Sequence, residues 1–418
     1  MSRYAGHGLN SHHHEPQRIA IPLPTSESQK HPAGQSIARR FAIGASLFYA
    51  STLGMGGAYL PFFPVWLKAI GVDVSWIGII TAVPSFSRFT VLPFVTAFAE
   101  RRQILREAMV VLAFVTAFGF AAVGLLHQPL AILIVFGLMA CAWTPLAPLI
   151  DGYALKGVVR YGLNYGPMRL WGSAAFIAGA LAAGWLLSII DPRHLIWIIV
   201  ALAFLSAFVS FGLAPLDAPA KSATPARASG LLRRPLFLAI IGASALIQAS
   251  HAAYYGFSAI TWQNAGLSGF TIAVLWSLGV VAEIVVFAVS PRFTVSPAVL
   301  VMIGAASGVL RWAVTAQDPR IEILTAVQIM HGLTFGITQV GTVALLVRHV
   351  PPQLLASAQG YMSALTGISF SLATVCSGLI YARIGEGVYY AMAAMALAGG
   401  LVMSIARKRL DAHRAVID

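Results

Sequence analysis

From Ala42 onward the chain alternates between apolar stretches and short polar breaks. Each stretch is roughly 20 residues, enough to cross a hydrocarbon core of about 30 Å at about 1.5 Å per helical residue. They fall near 41–66, 74–98, 106–126, 129–150, 165–189, 194–214, 236–260, 269–290, 296–316, 321–347, 354–381 and 387–406. Lipid leaves backbone amides no solvent to bond, so only helices or closed barrels span it. The stretches lack the two-residue alternation of barrel strands. The pattern therefore predicts an all-α polytopic membrane protein with twelve transmembrane helices.

The longest internal break, 216–235, carries Pro219, Pro225 and a cluster of Lys and Arg, and it separates the stretches six and six. It reads as a linker between two six-helix bundles, 39–215 and 236–407. The first helix of each half supports a duplication. Tyr59 precedes Trp66, and Tyr255 precedes Trp262, at the same spacing, with Gly71 and Gly266 soon after. Many secondary transporters are built from such repeats. Residues 1–38 and 408–418 are polar and are expected to be cytoplasmic tails, the first disordered. The first contains His12-His13-His14 but no apolar run with a cleavage site, so a solvated tail is expected there, without metal.

Composition agrees with that picture. The chain is 58% hydrophobic and 10% charged, against about 25% charged in soluble domains, and its mean hydropathy is +0.80. Cys141 and Cys376 lie in apolar runs and imply no disulfide framework. A net charge of +13 would suggest nucleic acid in a soluble protein. Here its distribution matters more. With both termini inside, 21 of the 27 basic residues face the cytoplasm, four face outward, and Arg88 and Arg311 lie within spans. Basic loops stay inside, so both termini are expected in the cytoplasm, with no nucleic-acid partner.

Ionisable groups within spans cost roughly 2.5–3.5 kcal/mol each on insertion scales, so each demands a reason. The candidates are Arg88, His251, Glu283, Arg311 and His331, with Asp151 and Arg169 near the inner ends of spans four and five. Interhelical pairing accounts for any one of them. For the group, a water-accessible central cavity is the cheaper account. By helical rise a direct Glu283–Arg311 pair is plausible. A Glu beside Arg and His has a protonation tied to what else occupies the cavity, which proton coupling requires. In the seventh span Gln248, His251, Tyr254 and Tyr255 form one polar, aromatic face, expected to line a solute path, while Trp262 suits an interfacial belt. Paired glycines, such as Gly332 with Gly336, allow close helix approach. The chain contains no His-Glu-x-x-His, no Gly-x-Ser-x-Gly and no P-loop, so neither an enzyme nor a cofactor is expected.

Several segments resemble the major facilitator superfamily, and within it the bacterial 3-phenylpropionate permease group. The most specific runs from His251 through Tyr254, Tyr255 and Trp262 to Gly266, continuing as Leu275–Glu283. Phe63–Lys68, Tyr165–Ser173, Val309–Trp312 and Gln328–His331 are also similar, so the likeness covers nearly all of the chain after the first tail. It implies a monomeric carrier in a bacterial inner membrane, moving a small aromatic monocarboxylate with protons. Arg88, Arg169 or Arg311 would meet the carboxylate, with Tyr254, Tyr255 and Trp171 around the ring and His251 hydrogen-bonding. A sugar, a nucleoside or export is the alternative. More distantly the chain is similar to lactose permease and its proton-symporting relatives. That likeness implies a substrate-binding pair at Asp151 and Arg169 and a coupling group at Glu283, Arg311 and His331. The family's further acid, one turn beyond the histidine, falls at Thr334, so Glu283 is left as proton carrier.

Overall fold

The computed structural model describes residues 32–215, 228–351 and 354–412, so His12-His13-His14 and most of the two tails and the linker lie outside the described residues. Every described element is a helix, and no strand occurs among the described residues. Helix α1 spans Pro32–Ala69, so residues 32–38 extend the first span rather than belonging to a disordered tail. The second passage is α2 (Val74–Thr90) with α3 (Leu92–Arg102), and the third is α4 (Leu105–Gly124). The fourth is α5 (Pro129–Trp143) with α6 (Leu146–Tyr161), followed by α7 (Tyr165–Leu186) and α8 (Leu195–Val209). The other half begins with α9 (Pro235–Ala249) and α10 (Ala252–Asn264), then α11 (Gly269–Val289) and α12 (Pro297–Thr315). Helices α13 (Ile321–Ile329) and α14 (Thr338–His349) flank a π-helical segment, Gly332–Ile337. The chain ends with α15 (Leu355–Ile384) and α16 (Val388–Ala412).

Among the described residues nine helical segments are long and apolar enough to cross a membrane, or ten when α2 and α3, bent by 45°, count as one. One of the nine, Ser357–Ala412, holds both α15 and α16 in 56 residues. Helix α7 has the length, 22 residues, but Arg169 and its small residues keep it outside that set.

Local chemistry explains most helix ends. Asp73 Oδ1 accepts from the Ser75 amide at 2.8 Å, and Ser268 Oγ from the Thr271 amide at 3.1 Å, each satisfying an orphan N–H. Proline opens α5, α9 and α12, where its missing N–H costs nothing. The bend between α2 and α3 sits at Val91–Leu92, just before Pro93, which removes one helical bond.

Helices α1–α8 pack mainly among themselves, as do α9–α16. The two sets meet along α2 with α15, α7 with α11 and α1 with α10. The end of the molecule opposite α1's start and α16's finish is tightly closed. There a Cβ on Gly78 would come within 2.8 Å of Gly378 Cα, and Gly184 abuts the Gly269 backbone. Lys68 Nζ also donates to Asn264 Oδ1, joining α1 to α10 at that end. Trp262 is buried rather than placed at a lipid interface, as is its counterpart Trp66. The matched tyrosines, Tyr59 and Tyr255, both face the space between the halves.

Candidate functional site

That space is a cavity of about 950 Å³. It reaches Leu92 on α3 and Gln359 and Gly360 on α15, toward the end where α1 begins and α16 finishes. Tyr59, Trp143, Tyr255, Phe335 and Phe370 supply aromatic faces. Among the described lining residues, Arg88 is the one cation and Asp151 the one acid.

Arg88 projects from α2, is exposed to the cavity, and makes no hydrogen bond or ion pair with another described residue. A guanidinium presents five donors in a planar fork suited to a carboxylate. Here that fork is unspent. Asp151 is half-buried, and its Oδ1 accepts from the hydroxyls of Tyr49 at 2.6 Å and Tyr165 at 2.8 Å. Arg169, which the resemblance sets with it as a substrate-binding pair, makes no ion pair with it and lies over the Tyr49 ring, 5.6 Å from the centroid. Trp171, expected beside a solute, is 62% exposed on the outer surface and does not line the cavity. The spacing of α7 turns Arg169 toward Tyr49 and Trp171 away from the cavity, two residues on.

The opposite half holds a second polar group that is sealed from the cavity. Arg311 is 0% exposed. Its Nη1 donates to His331 Nδ1 at 2.9 Å and Thr334 Oγ1 at 3.1 Å, and its Nη2 to Gln328 Oε1 at 3.1 Å. The rings of Trp312 and Tyr254 flank the guanidinium at 4.4 and 4.8 Å. No carboxylate pairs with Arg311 among the described residues. Neutral acceptors and ring quadrupoles replace the missing counter-ion.

Hydrogen-bond arithmetic then fixes the proton positions. A guanidinium cannot accept, so His331 Nδ1 must accept and its proton sits on Nε2. That nitrogen lies 3.8 Å from Glu283 Oε2, too far for a hydrogen bond, and the direct Glu283–Arg311 pair that helical rise allows does not form. His251 Nδ1 faces the Gln248 carbonyl at 3.1 Å, which only accepts, so this nitrogen donates. His251 Nε2 therefore accepts from the Thr334 hydroxyl at 3.0 Å. Thr334 thus relays from Arg311 to His251. His251 thus donates through Nδ1 and accepts through Nε2, and His331 accepts through Nδ1, as neutral rings do. Glu283, 24% exposed on α11, is the carboxylate nearest this chain and interacts electrostatically with Arg169 on α7.

Of the residues singled out in the seventh span, Gln248 and Tyr255 reach the cavity, whereas His251 and Tyr254 are buried behind it. Tyr254 stacks on Trp276 at 4.6 Å. Sequence reasoning passed over Trp143, Phe335, Phe370 and Gln339 as lining residues, and Tyr49 and Tyr165 as anchors of Asp151. Gln328 was noticed only as part of a similar segment. A mid-span Gln such as Gln339 is polar enough to have been flagged; an aromatic in an apolar run leaves no such mark.

The comparisons with known proteins point one way. Residues 43–392 match the MFS_1 like family. The chain is 33% identical over 355 residues to the probable 3-phenylpropionic acid transporter of Escherichia coli, covering 82% of this chain and 91% of that one. It is 25% identical over 378 residues to the maltose permease of Geobacillus stearothermophilus, covering 87% and 94%. Among solved structures the nucleoside transporter NupG superposes with a TM-score of 0.78 at 16% identity, covering 88% of this chain and 99% of that one. A bacterial homologue of the lysosomal transporter Spinster gives 0.67 at 11% identity, covering 92% and 99%. These relatives are transporters and not enzymes. With its helical halves and a cavity between them, the chain belongs to the MFS_1 like family and is a membrane transporter of the major facilitator kind.

Proposed function

We propose that this transporter imports a small aromatic monocarboxylate of the phenylpropanoid type together with protons. The observation that carries the reading is Arg88, an unpaired guanidinium and the one cation among the described residues lining a chamber rich in aromatic faces. An anion entering the cavity meets its one matching charge there, through a bidentate, charge-assisted pair. Tyr59, Trp143, Tyr255 and Phe370 offer ring faces to an aromatic body. The similarity to the 3-phenylpropionic acid transporter supports the same class of solute.

Glu283 carries the proton in this reading. It is the carboxylate nearest the buried His331–Arg311 chain, and it interacts with Arg169 of α7 across the contact between the halves. Rocking of the halves would change its surroundings, which is how proton occupancy and access become linked. The excess of basic residues at one end supports a bacterial inner-membrane carrier with both termini cytoplasmic and a cavity open inward.

The test is uptake of 3-phenylpropionate into proteoliposomes under an imposed pH gradient, acid outside. Accumulation above equilibrium is expected for the native chain. Glu283→Gln should exchange solute down its gradient but not concentrate it, and uptake indifferent to the pH gradient would refute coupling.

A second reading, a sugar or nucleoside carrier, is favoured by Asp151, whose carboxylate is held by two tyrosine hydroxyls beside the cavity and suits hydroxyl-rich solutes. It predicts thermal stabilisation by maltose or uridine that survives Arg88→Gln and is lost in Asp151→Asn.

A further inference from the structure

The lining that comes from the other half carries a different chemistry. Gln248 on α9 and Gln339 on α14 both line the cavity, with Ser244 one turn before Gln248. Gln248 Nε2 donates to Gln339 Oε1 at 3.5 Å, the outer limit of a hydrogen bond. The Gln248 side chain is only 6% exposed, yet its Oε1 has no partner at all. Buried acceptors are almost always matched, so an orphan one on a residue that lines a solute cavity asks for a donor. Beside it, the Gln339 amide spends its oxygen on Gln248 and keeps its own N–H groups for the cavity. An acceptor and a donor therefore stand side by side on an uncharged wall, since both charged lining residues belong to the other half.

We propose that Gln248 and Gln339 form a subsite for a hydroxyl group on the end of the solute remote from its carboxylate. The preferred cargo is then a ring-hydroxylated aromatic monocarboxylate rather than a plain phenylalkanoate. A hydroxyl matches the pair because it is donor and acceptor at once: it donates to Gln248 Oε1 and accepts from Gln339 Nε2. Turning both amides over exchanges these roles and leaves the same demand. A methoxy group only accepts, a bare ring edge does neither, and a carboxylate would bring an anion to an orphan oxygen. Sites built to hydrogen-bond a hydroxyl discriminate against analogues lacking it, because the site's own polar groups are then left unpaired. The inference rests on the reading above, in which Arg88 takes the carboxylate.

The experiment is calorimetric titration of the full chain, in nanodiscs, with 3-phenylpropionate, its 3-hydroxy and 4-hydroxy ring derivatives, and its 4-methoxy derivative. At least one hydroxylated acid should bind about tenfold more tightly than 3-phenylpropionate, and the methoxy acid should gain nothing. Gln248→Leu and Gln339→Leu should each abolish that preference while leaving the affinity for 3-phenylpropionate within about twofold. That retained affinity also reports that the variants are folded. Should either fail to fold, the ligand series on the native chain still decides the matter. Equal binding of plain and hydroxylated acids overturns the subsite and spares the role of Arg88, as does a hydroxyl preference that survives both leucine variants. Absence of binding by every acid in the series overturns the aromatic-acid reading and the subsite with it.

Discussion

Two arginines lie within spans, one in each half, and they do opposite things. Arg88 faces the cavity with its donors unspent, whereas Arg311 is enclosed, hydrogen-bonded three times and flanked by two rings. Both pay for insertion, but only Arg88 keeps its charge available to something that is not protein. Arg311 has traded that availability for organising His331, Thr334 and Gln328. An intramembrane charge is therefore informative about solute binding only once its partners are known. In the proposed function one half offers the solute charge, and the other offers it neutral hydrogen bonds.

The comparison breaks most visibly at Arg88. Arg88→Gln should lower affinity for an aromatic acid about 100-fold, the value of a charge-assisted pair, while the melting temperature stays near that of the native chain. A variant that loses both binding and stability would erase the contrast. Arg311→Met should do the reverse in kind. It strands His331 Nδ1, the Thr334 hydroxyl and Gln328 Oε1 in a dry interior, costing about 3 kcal/mol of stability, to be read as a fall in thermal melting with and without lipid. A stable Arg311→Met chain would mean that the buried network is not structural.

The smallest effect sharpens the same point. Thr334→Val keeps shape but removes the hydroxyl linking Arg311 to His251, so stability should fall by about 1 kcal/mol. A double-mutant cycle with His251→Phe should return a coupling of similar size, about 1 kcal/mol. Additive losses would show that the two residues do not act through that bond.

Thr334 also shows how far a resemblance carries. In the lactose permease likeness an acid belongs at that position, and its absence counted as a gap in the proton path. In the structure Thr334 is the hub of the buried chain, and Glu283 lies nearer to His331 than to any other member of it, without a hydrogen bond. Asp151 and Arg169, likewise, are not ion-paired to each other, and Tyr49 connects them, bonded to one and under the other. Residue type and spacing placed these groups on the right helices. The partners depended on ring positions from other helices.

What the amino-acid sequence determines by itself here is the solvent and the backbone. Apolar runs of span length with most charges at their ends compel helices, because no other backbone with this pattern is satisfied in lipid, and the repeated Tyr–Trp spacing is what suggests two related halves. The residues that must earn their place inside the membrane, from Arg88 to His331, are also legible, because each is expensive there. Only the tertiary structure decides which of them face a solute. Helical periodicity assigns a residue to a face but does not say whether that face meets a cavity, a neighbouring helix or lipid. Trp171 and Arg88 make the difference plain: one turns outward, and the other stands alone where an anion would arrive.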